Sequence, residues 1–303
     1  MTTPAPDPWW SPPRHEDRRA FLHLRARMLA AIRAWFDAQG FIEADVGAWT
    51  RSPGAETHIH AFATEGAYLH TSPEFAMKRL LAAGERKLYF LGKTYRAGES
   101  GPLHAPEFTL LEWYRADAPY EHVMEDCVAL ARLASETAGG DALRWRGRHC
   151  NPFLEAERVR VHERAPRDLD SAAFSQRIVE IEPSLGHPRL TLLTHYPITE
   201  AALAQRCADD PTTAERFELY ACGVELANGF GELTDAHEQR ARLVEAMAAK
   251  RALYGEAWPI DEDFLAAVAQ MPPASGCALG VDRLVLLAAG ARDLRDVIWT
   301  PPP

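Results

Sequence analysis

An α+β domain is the fold class that this 303-residue chain predicts. Three observations carry it: an amphipathic helix near the N-terminus, strands that follow one another in pairs, and a Gly-bounded strand running into an apolar helix near the C-terminus. At 47% hydrophobic content the chain can bury a sizeable core. A single domain over 16–303 is expected. Residues 1–15, Pro- and Trp-rich, read as a flexible leader with no basic start and apolar core of a targeting signal.

The first helix is expected over 17–39, where Phe21, Leu24, Met28, Ile32 and Trp35/Phe36 recur at three and four residues and Gly40 ends the run. Phe41 to Ala48 reads as a short strand, and Ala67 to His70 as another leading into a helix with Ser72 as N-cap, Pro73 at its first position and Gly84 as its stop. Lys87 to Arg96 and Phe108 to Arg115 are strands joined by a Gly/Pro-rich loop too long for a minimal hairpin turn. A helix follows over Val123 to Thr137, and 140–186, Arg-rich and mixed, is taken as a helical insertion. Thr191 to Tyr196 predicts a buried strand, Glu200 to Arg206 a short helix, and Phe217 to Ala221 with Val224 to Phe230 a strand pair around Cys222-Gly223. Asp235-Ala-His-Glu238 resembles a capping box opening a polar helix to about Leu253. Gly276 to Gly290 is the closing strand and helix.

Composition excludes several classes. Lys and Arg total 33 against 43 Asp and Glu, a formal charge of −10, which argues against a broad nucleic-acid surface. The longest apolar stretches, such as Leu284 to Ala289, fall far short of the roughly 18 to 20 residues of a spanning helix. The five cysteines form no Cys-x-x-Cys pair, so reduced thiols and a cytoplasmic location are expected rather than a zinc site or disulfides. Neither G-x-x-x-x-G-K-[ST] nor G-x-G-x-x-G occurs, so nucleotide binding would rest on arginines.

Candidate chemistry gathers in four places. On the strand after the loop, Phe108, Leu110, Glu112 and Tyr114 share one face, and a carboxylate buried there needs a cation, which a substrate ammonium would supply. Arg96 ends the preceding strand, where its fork can grip a phosphate or carboxylate, or pair with Glu99 at the surface. Ser72 and Glu74 fit either a helix start or a binding pocket. Glu225 and Glu232 lie seven apart, an odd spacing that puts them on opposite faces of an unbroken strand. Asn228-Gly229 is the expected break in that alternation. Two carboxylates so joined call for a shared proton, a cation or an ammonium; the alternative is two solvated glutamates on a turn.

In this order the residues resemble class II aminoacyl-tRNA synthetases of the lysyl type. Their motif 2, a strand, arginine, loop and strand, is matched by Tyr95-Arg96 through His104-Ala-Pro-Glu-Phe-Thr-Leu-Leu-Glu-Trp-Tyr114, and their motif 3 by Gly280-Val-Asp-Arg283. The run Glu225-Leu-Ala-Asn-Gly-Phe-Gly-Glu232-Leu-Thr-Asp235 is also lysyl-type, and the matches span about Arg25 to Ile298. Only about 20 residues precede the first motif, leaving no room for the anticodon-binding OB-fold of the tRNA-charging enzymes. The resemblance is therefore to their short paralogues, which activate (R)-β-lysine and ligate it to a lysine of elongation factor P.

The resemblance implies an antiparallel sheet flanked by helices and a homodimer built partly through motif 1. It assigns Arg96 to the ATP α-phosphate and the attacked carboxylate, and Phe108 to stacking on adenine. It gives Arg283 the γ-phosphate and lets the nucleotide approach the backbone at Gly280, with Glu99 and Leu226 completing the ATP site. Glu225 and Glu232 would bind Mg2+, and Ser72, Glu74, Glu112, Tyr114 and Glu232 would line a pocket for (R)-β-lysine or lysine. The sequence departs from the family at Gly47, where motif 1 normally ends in proline. It departs again at Arg96-Ala97-Gly98-Glu99, where motif 2 usually has Arg-x-Glu, and at Ala105, where asparagine is usual. Two other readings are kept: a minimal enzyme charging lysine tRNA, for which Arg144, Arg146, Arg148, Arg158, Arg160, Arg164 and Arg167 would form an RNA face, and a non-catalytic synthetase-like regulator.

Overall fold

The computed structural model describes residues 8–302. In chain order its elements are α1 (Pro12–Ala38), β1 (Ile42–Glu43), β2 (Trp49–Thr50), β3 (Ala63–Thr64), β4 (Ala67–Leu69), α2 (Glu74–Ala82), β5 (Lys87–Tyr95) and β6 (Glu107–Ala116). There follow α3 (Tyr120–Thr137), β7 (Leu143–Trp145), β8 (Arg148–Cys150), β9 (Glu157–Arg160), α4 (Ser171–Ile181), β10 (Thr191–Pro197), β11 (Thr213–Ala221) and β12 (Val224–Gly231). The chain closes with α5 (Ala236–Tyr254), α6 (Glu262–Val268), β13 (Ala274–Gly280), α7 (Val281–Ala289) and α8 (Leu294–Val297).

The main sheet has eight strands in the order β1-β5-β6-β13-β12-β11-β10-β9. Its six central strands pair antiparallel, as expected, while the two edges, β1 on β5 and β9 on β10, are parallel. Both edge strands are reached by connections much longer than a hairpin, which is the condition for parallel pairing.

Alternation divides the sheet between two jobs. Leu111 and Trp113 on β6, Phe217 and Leu219 on β11, and Cys277 and Leu279 on β13 point into the main core, which α1, α3 and α7 cover. The opposite face of β6, β13, β12 and β11 lines a cavity. Helix α1 buries Leu22, Leu24, Met28, Ile32 and Phe36. It begins at Pro12, earlier than expected, so residues 12–15 of the supposed leader are helical, while residues 1–7 lie outside the described residues.

Three further expectations change. The 140–186 stretch is mostly not helical: it holds the β7-β8 hairpin, edge strand β9 and one helix of 11 residues. Glu200 to Arg206 forms no α-helix, because Ala204 and Arg206 are taken up in bridges to Glu232 and Ala214. The Phe41 to Ala48 strand shrinks to Ile42–Glu43. All five cysteines are free and buried. No helix among the described residues is long and apolar enough to cross a membrane.

Candidate active site

The cavity holds about 400 Å³ and is floored by the small residues of β13. Register sets Gly276 beside Tyr114, Ala278 beside Glu112 and Gly280 beside Leu110, so the middle of the sheet is low where its flanks carry long side chains. A Cβ on Gly276 would run into the Tyr114 ring and lie 2.6 Å from Glu232 Oε1, which fixes glycine there.

On β6 the expected face is realised, with Phe108, Leu110, Glu112 and Tyr114 all lining the cavity. Glu112 is 2% exposed and meets no cation among the described residues. Ser72 Oγ donates to its Oε2 at 2.6 Å, and Tyr114 Oη donates to Oε1 at 2.7 Å. Burial, then the charge of Glu74, pushes its carboxyl up to about 8, against the pull of those two hydrogen bonds. Ser72 is a cap as well: its Oγ accepts the Glu74 N–H at 3.0 Å, and the helix starts one residue later than expected, at Glu74.

The odd spacing of Glu225 and Glu232 is resolved by a β-bulge. Leu219 faces Ala227 while Tyr220 faces Glu225, so Leu226 is the extra residue and Glu225 turns to the face of Asn228 and Phe230. The break thus falls at Leu226, not at Asn228-Gly229. Leu226 lines the cavity and also packs into the main core.

Sharing a face does not bring the two glutamates together. They stand at opposite ends of β12, on the order of 20 Å apart along an extended strand, and one Mg2+ bound through carboxylate oxygens at about 2 Å cannot join them. The shared metal site expected of Glu225 and Glu232 is corrected accordingly. Glu232, 1% exposed, forms an ion pair through Oε2 with Lys78 Nζ at 2.6 Å; neither buried oxygen has a well-aligned hydrogen bond among the described residues, and Oε1 has no ion-pair partner there either. Burial lifts its carboxyl to about 7 although Lys78 opposes the shift. Lys78 reaches Glu74 Oε1 at 2.7 Å as well and is itself fully buried.

Glu225 instead has Glu218 of β11 as its neighbour, and its carboxyl rises to about 7 through burial first and Glu218 second, with Arg283 pulling the other way. Glu218 accepts from Arg216 Nη2 at 2.7 Å and from Tyr220 Oη at 2.6 Å. Two carboxylates on adjacent strands, both open to the cavity, form a donor set suited to Mg2+.

Arg283 is aimed by what surrounds it. Asp282 turns inward, pairs with Arg25 of α1 and accepts the Thr109 N–H of β6 at 2.9 Å, which pins the start of α7 to the sheet. Arg283, next in sequence, then points into the cavity, donating to Leu103 O at 3.1 Å, Glu225 O at 2.9 Å and His104 Nε2 at 2.6 Å. Burial and Arg283 together hold His104 below its usual pKa, in keeping with a neutral acceptor ring. Arg96 makes no ion pair with Glu99 among the described residues; its guanidinium lies 5.1 Å from the centre of the Phe108 ring and donates to Thr71 O at 3.3 Å. Glu99 sits 3.7 Å from His104 at the cavity rim. Gly280 opens onto the same space, a Cβ there meeting only Arg283 at 3.7 Å.

The departures from the family have local causes. Gly98 adopts φ 79°, a turn that fits glycine and carries the longer Arg96 to Glu99 spacing. Ala105 is buried in the main core, and Gly47 has open space where a side chain would sit. Sequence reasoning missed Lys78, Arg216, Glu218 and Asn228, whose buried Oδ1 faces the cavity without a partner among the described residues. Lys78 was signalled by its place four residues after Glu74 on one helix. The hairpin turn at Cys222-Gly223 folds β11 onto β12, but the register that sets Glu218 near Glu225 had no local signal. Asp235 proves to be the expected cap, accepting the His237 and Glu238 N–H groups.

Comparison with known proteins gives the family. The chain matches the family described as tRNA synthetases class II (D, K and N) over residues 9–302. It is 38% identical to the elongation factor P (R)-β-lysine ligase of Sodalis glossinidius, over 92% of this chain and 94% of that one. The proteins of the same name from Photorhabdus laumondii and Edwardsiella ictaluri are each 39% identical at the same coverage. A family match over nearly the whole chain, with the arginines and carboxylates on one face of an antiparallel sheet, makes this chain a member of the class II tRNA synthetases of the D, K and N group.

Proposed function

We propose that the protein uses ATP and Mg2+ to activate (R)-β-lysine or lysine as an acyl-adenylate and transfers the acyl group to a lysine side chain of elongation factor P. The observation that carries the substrate class is Glu112, a buried carboxyl without a cation among the described residues, in the same cavity as Glu232 Oε1, which has no partner among them. An acid bearing two ammonium groups satisfies both. The names of the relatives, which this chain matches almost end to end, support elongation factor P as acceptor.

Arg96 would hold the substrate carboxylate and the α-phosphate together and offset charge as the carboxylate oxygen attacks phosphorus in line. Pyrophosphate leaves toward Arg283, and Phe108 would stack on adenine. Glu218 and Glu225 would hold the Mg2+, which supplies charge neutralisation between phosphates. The acceptor amine then attacks the acyl carbon and AMP departs, with proton loss from the amine. A homodimer belongs to the same proposal: Ile42 and Trp49, 59% and 60% exposed, offer apolar surface to a second copy. So does a cytoplasmic location, where a translation factor would be met.

The test is transfer followed by intact mass, with purified elongation factor P and lysine tRNA offered in parallel and each acid supplied in turn. A mass gain on the protein that is lost in Arg96→Ala is the expected result. Charging of tRNA alone would overturn it in favour of the minimal aminoacylating enzyme.

A further inference from the structure

Three buried carboxylates, Glu74, Glu112 and Glu232, line the amino-acid end of the cavity with the half-buried Glu56 near Glu74, and among the described residues Lys78 is the one cation that pairs with any of the three. Its Nζ lies 2.7 Å from Glu74 and 2.6 Å from Glu232, and its side chain is wholly buried. A lysine placed so can serve only these two groups, because no solvent reaches it. We propose that Lys78 is a positioning and specificity-determining residue, a built-in counter-cation that leaves the pocket two negative charges to match the two ammonium groups of its acid.

The inference rests on the proposed reading of the pocket and goes beyond it by assigning discrimination to a residue that touches the carboxylates rather than the substrate. The geometry does two things. By occupying Oε2 of Glu232, the ammonium leaves Oε1 as the free acceptor, where no other protein donor reaches it among the described residues. By neutralising one charge in a region of low dielectric, it lowers the mutual repulsion of the three carboxylates, so that they ionise near neutral pH when a dication arrives. Without it, the set would retain protons at pH 7 that the ligand must displace.

Titration calorimetry on the full chain without ATP separates this from the catalytic reading. Lysine and norleucine, which share a carbon skeleton and differ in the second ammonium, are the probes, compared in the parent, Lys78→Met and Lys78→Ala between pH 6 and 8.5. The expected result is a loss of lysine affinity of about tenfold or more at pH 7 in Lys78→Met. That loss is partly recovered by pH 8.5, the lysine-over-norleucine ratio falls with it, and propylammonium restores binding to Lys78→Ala. A purely structural lysine would lower the melting temperature without moving the pH midpoint or the ratio. An unchanged midpoint and ratio in folded Lys78→Met overturns the proposal, as does failure of propylammonium to rescue folded Lys78→Ala, or absence of lysine binding to the parent. Failure of the parent to exchange pyrophosphate into ATP with lysine or (R)-β-lysine, while it still binds lysine, would instead count against the proposed reaction.

Discussion

At the Glu232 end of β12 three buried carboxylates share the cavity with a single lysine, which pairs with two of them, whereas at the Glu225 end the carboxylates Glu218 and Glu225 meet Arg216 and Arg283, with Arg96 lining the same cavity. One end is short of positive charge and the other is well supplied. On the proposed function the same strand would serve a cationic substrate at one end and an anionic one at the other, as a reaction that joins an amino acid to ATP requires. Burial makes the contrast expensive: carboxylates near pKa 7 and 8 are groups that fold uncomfortably and are relieved by ligand.

Breaking the arginine end should cost most. Arg283→Ala or Arg96→Ala is expected to lower the rate of adenylate formation by about 10²–10³-fold, since each donor faces charge that develops in the reaction; single-turnover pyrophosphate release measures it. Breaking the acidic end should be felt in binding. Glu112→Gln keeps the Ser72 and Tyr114 neighbours but removes the charge, and KM for the amino acid should rise by about 10–100-fold while KM for ATP holds.

The pH dependence sharpens the comparison further. Glu112 and Glu232 have pKa values raised from 4.5 by burial, so between about 4.5 and 8 the empty protein holds protons that the unfolded chain has released. Their contribution to stability accordingly falls as pH rises through that window. A lysine-like ligand should raise the melting temperature more at pH 8 than at pH 6, and Glu112→Gln should shrink that difference; scanning calorimetry reads both. The smallest effect is expected away from both ends: Asp235→Ala, losing a helix cap, should cost about 1 kcal/mol of stability and leave KM values unchanged.

How much of this was legible in the sequence follows from the range of each interaction. Alternation placed Phe108, Leu110, Glu112 and Tyr114 on one face, because period two is a local property of the strand. Capping placed Asp235 for the same reason. The partner of Glu225 was not legible, since a bulge at Leu226 and the β11 register, both set by pairing across strands, decide which carboxylate stands beside it. Edge strand β9 was missed because its pairing with β10 is a long-range contact in a stretch whose composition carries no period. Lys78 looked like an ordinary helical lysine until the fold brought Glu232 onto it.

The central claim is that Glu225 and Glu232 serve different ligands, and pyrophosphate exchange with Glu225→Gln and Glu232→Gln tests it most directly, with the amino acid and Mg2+ varied separately. The account predicts that Glu232→Gln raises KM for the amino acid and leaves the Mg2+ requirement unchanged, while Glu225→Gln raises the Mg2+ requirement and leaves the amino acid KM near that of the parent. An equal shift of the Mg2+ requirement in both variants would contradict it and restore a metal site shared by the two glutamates.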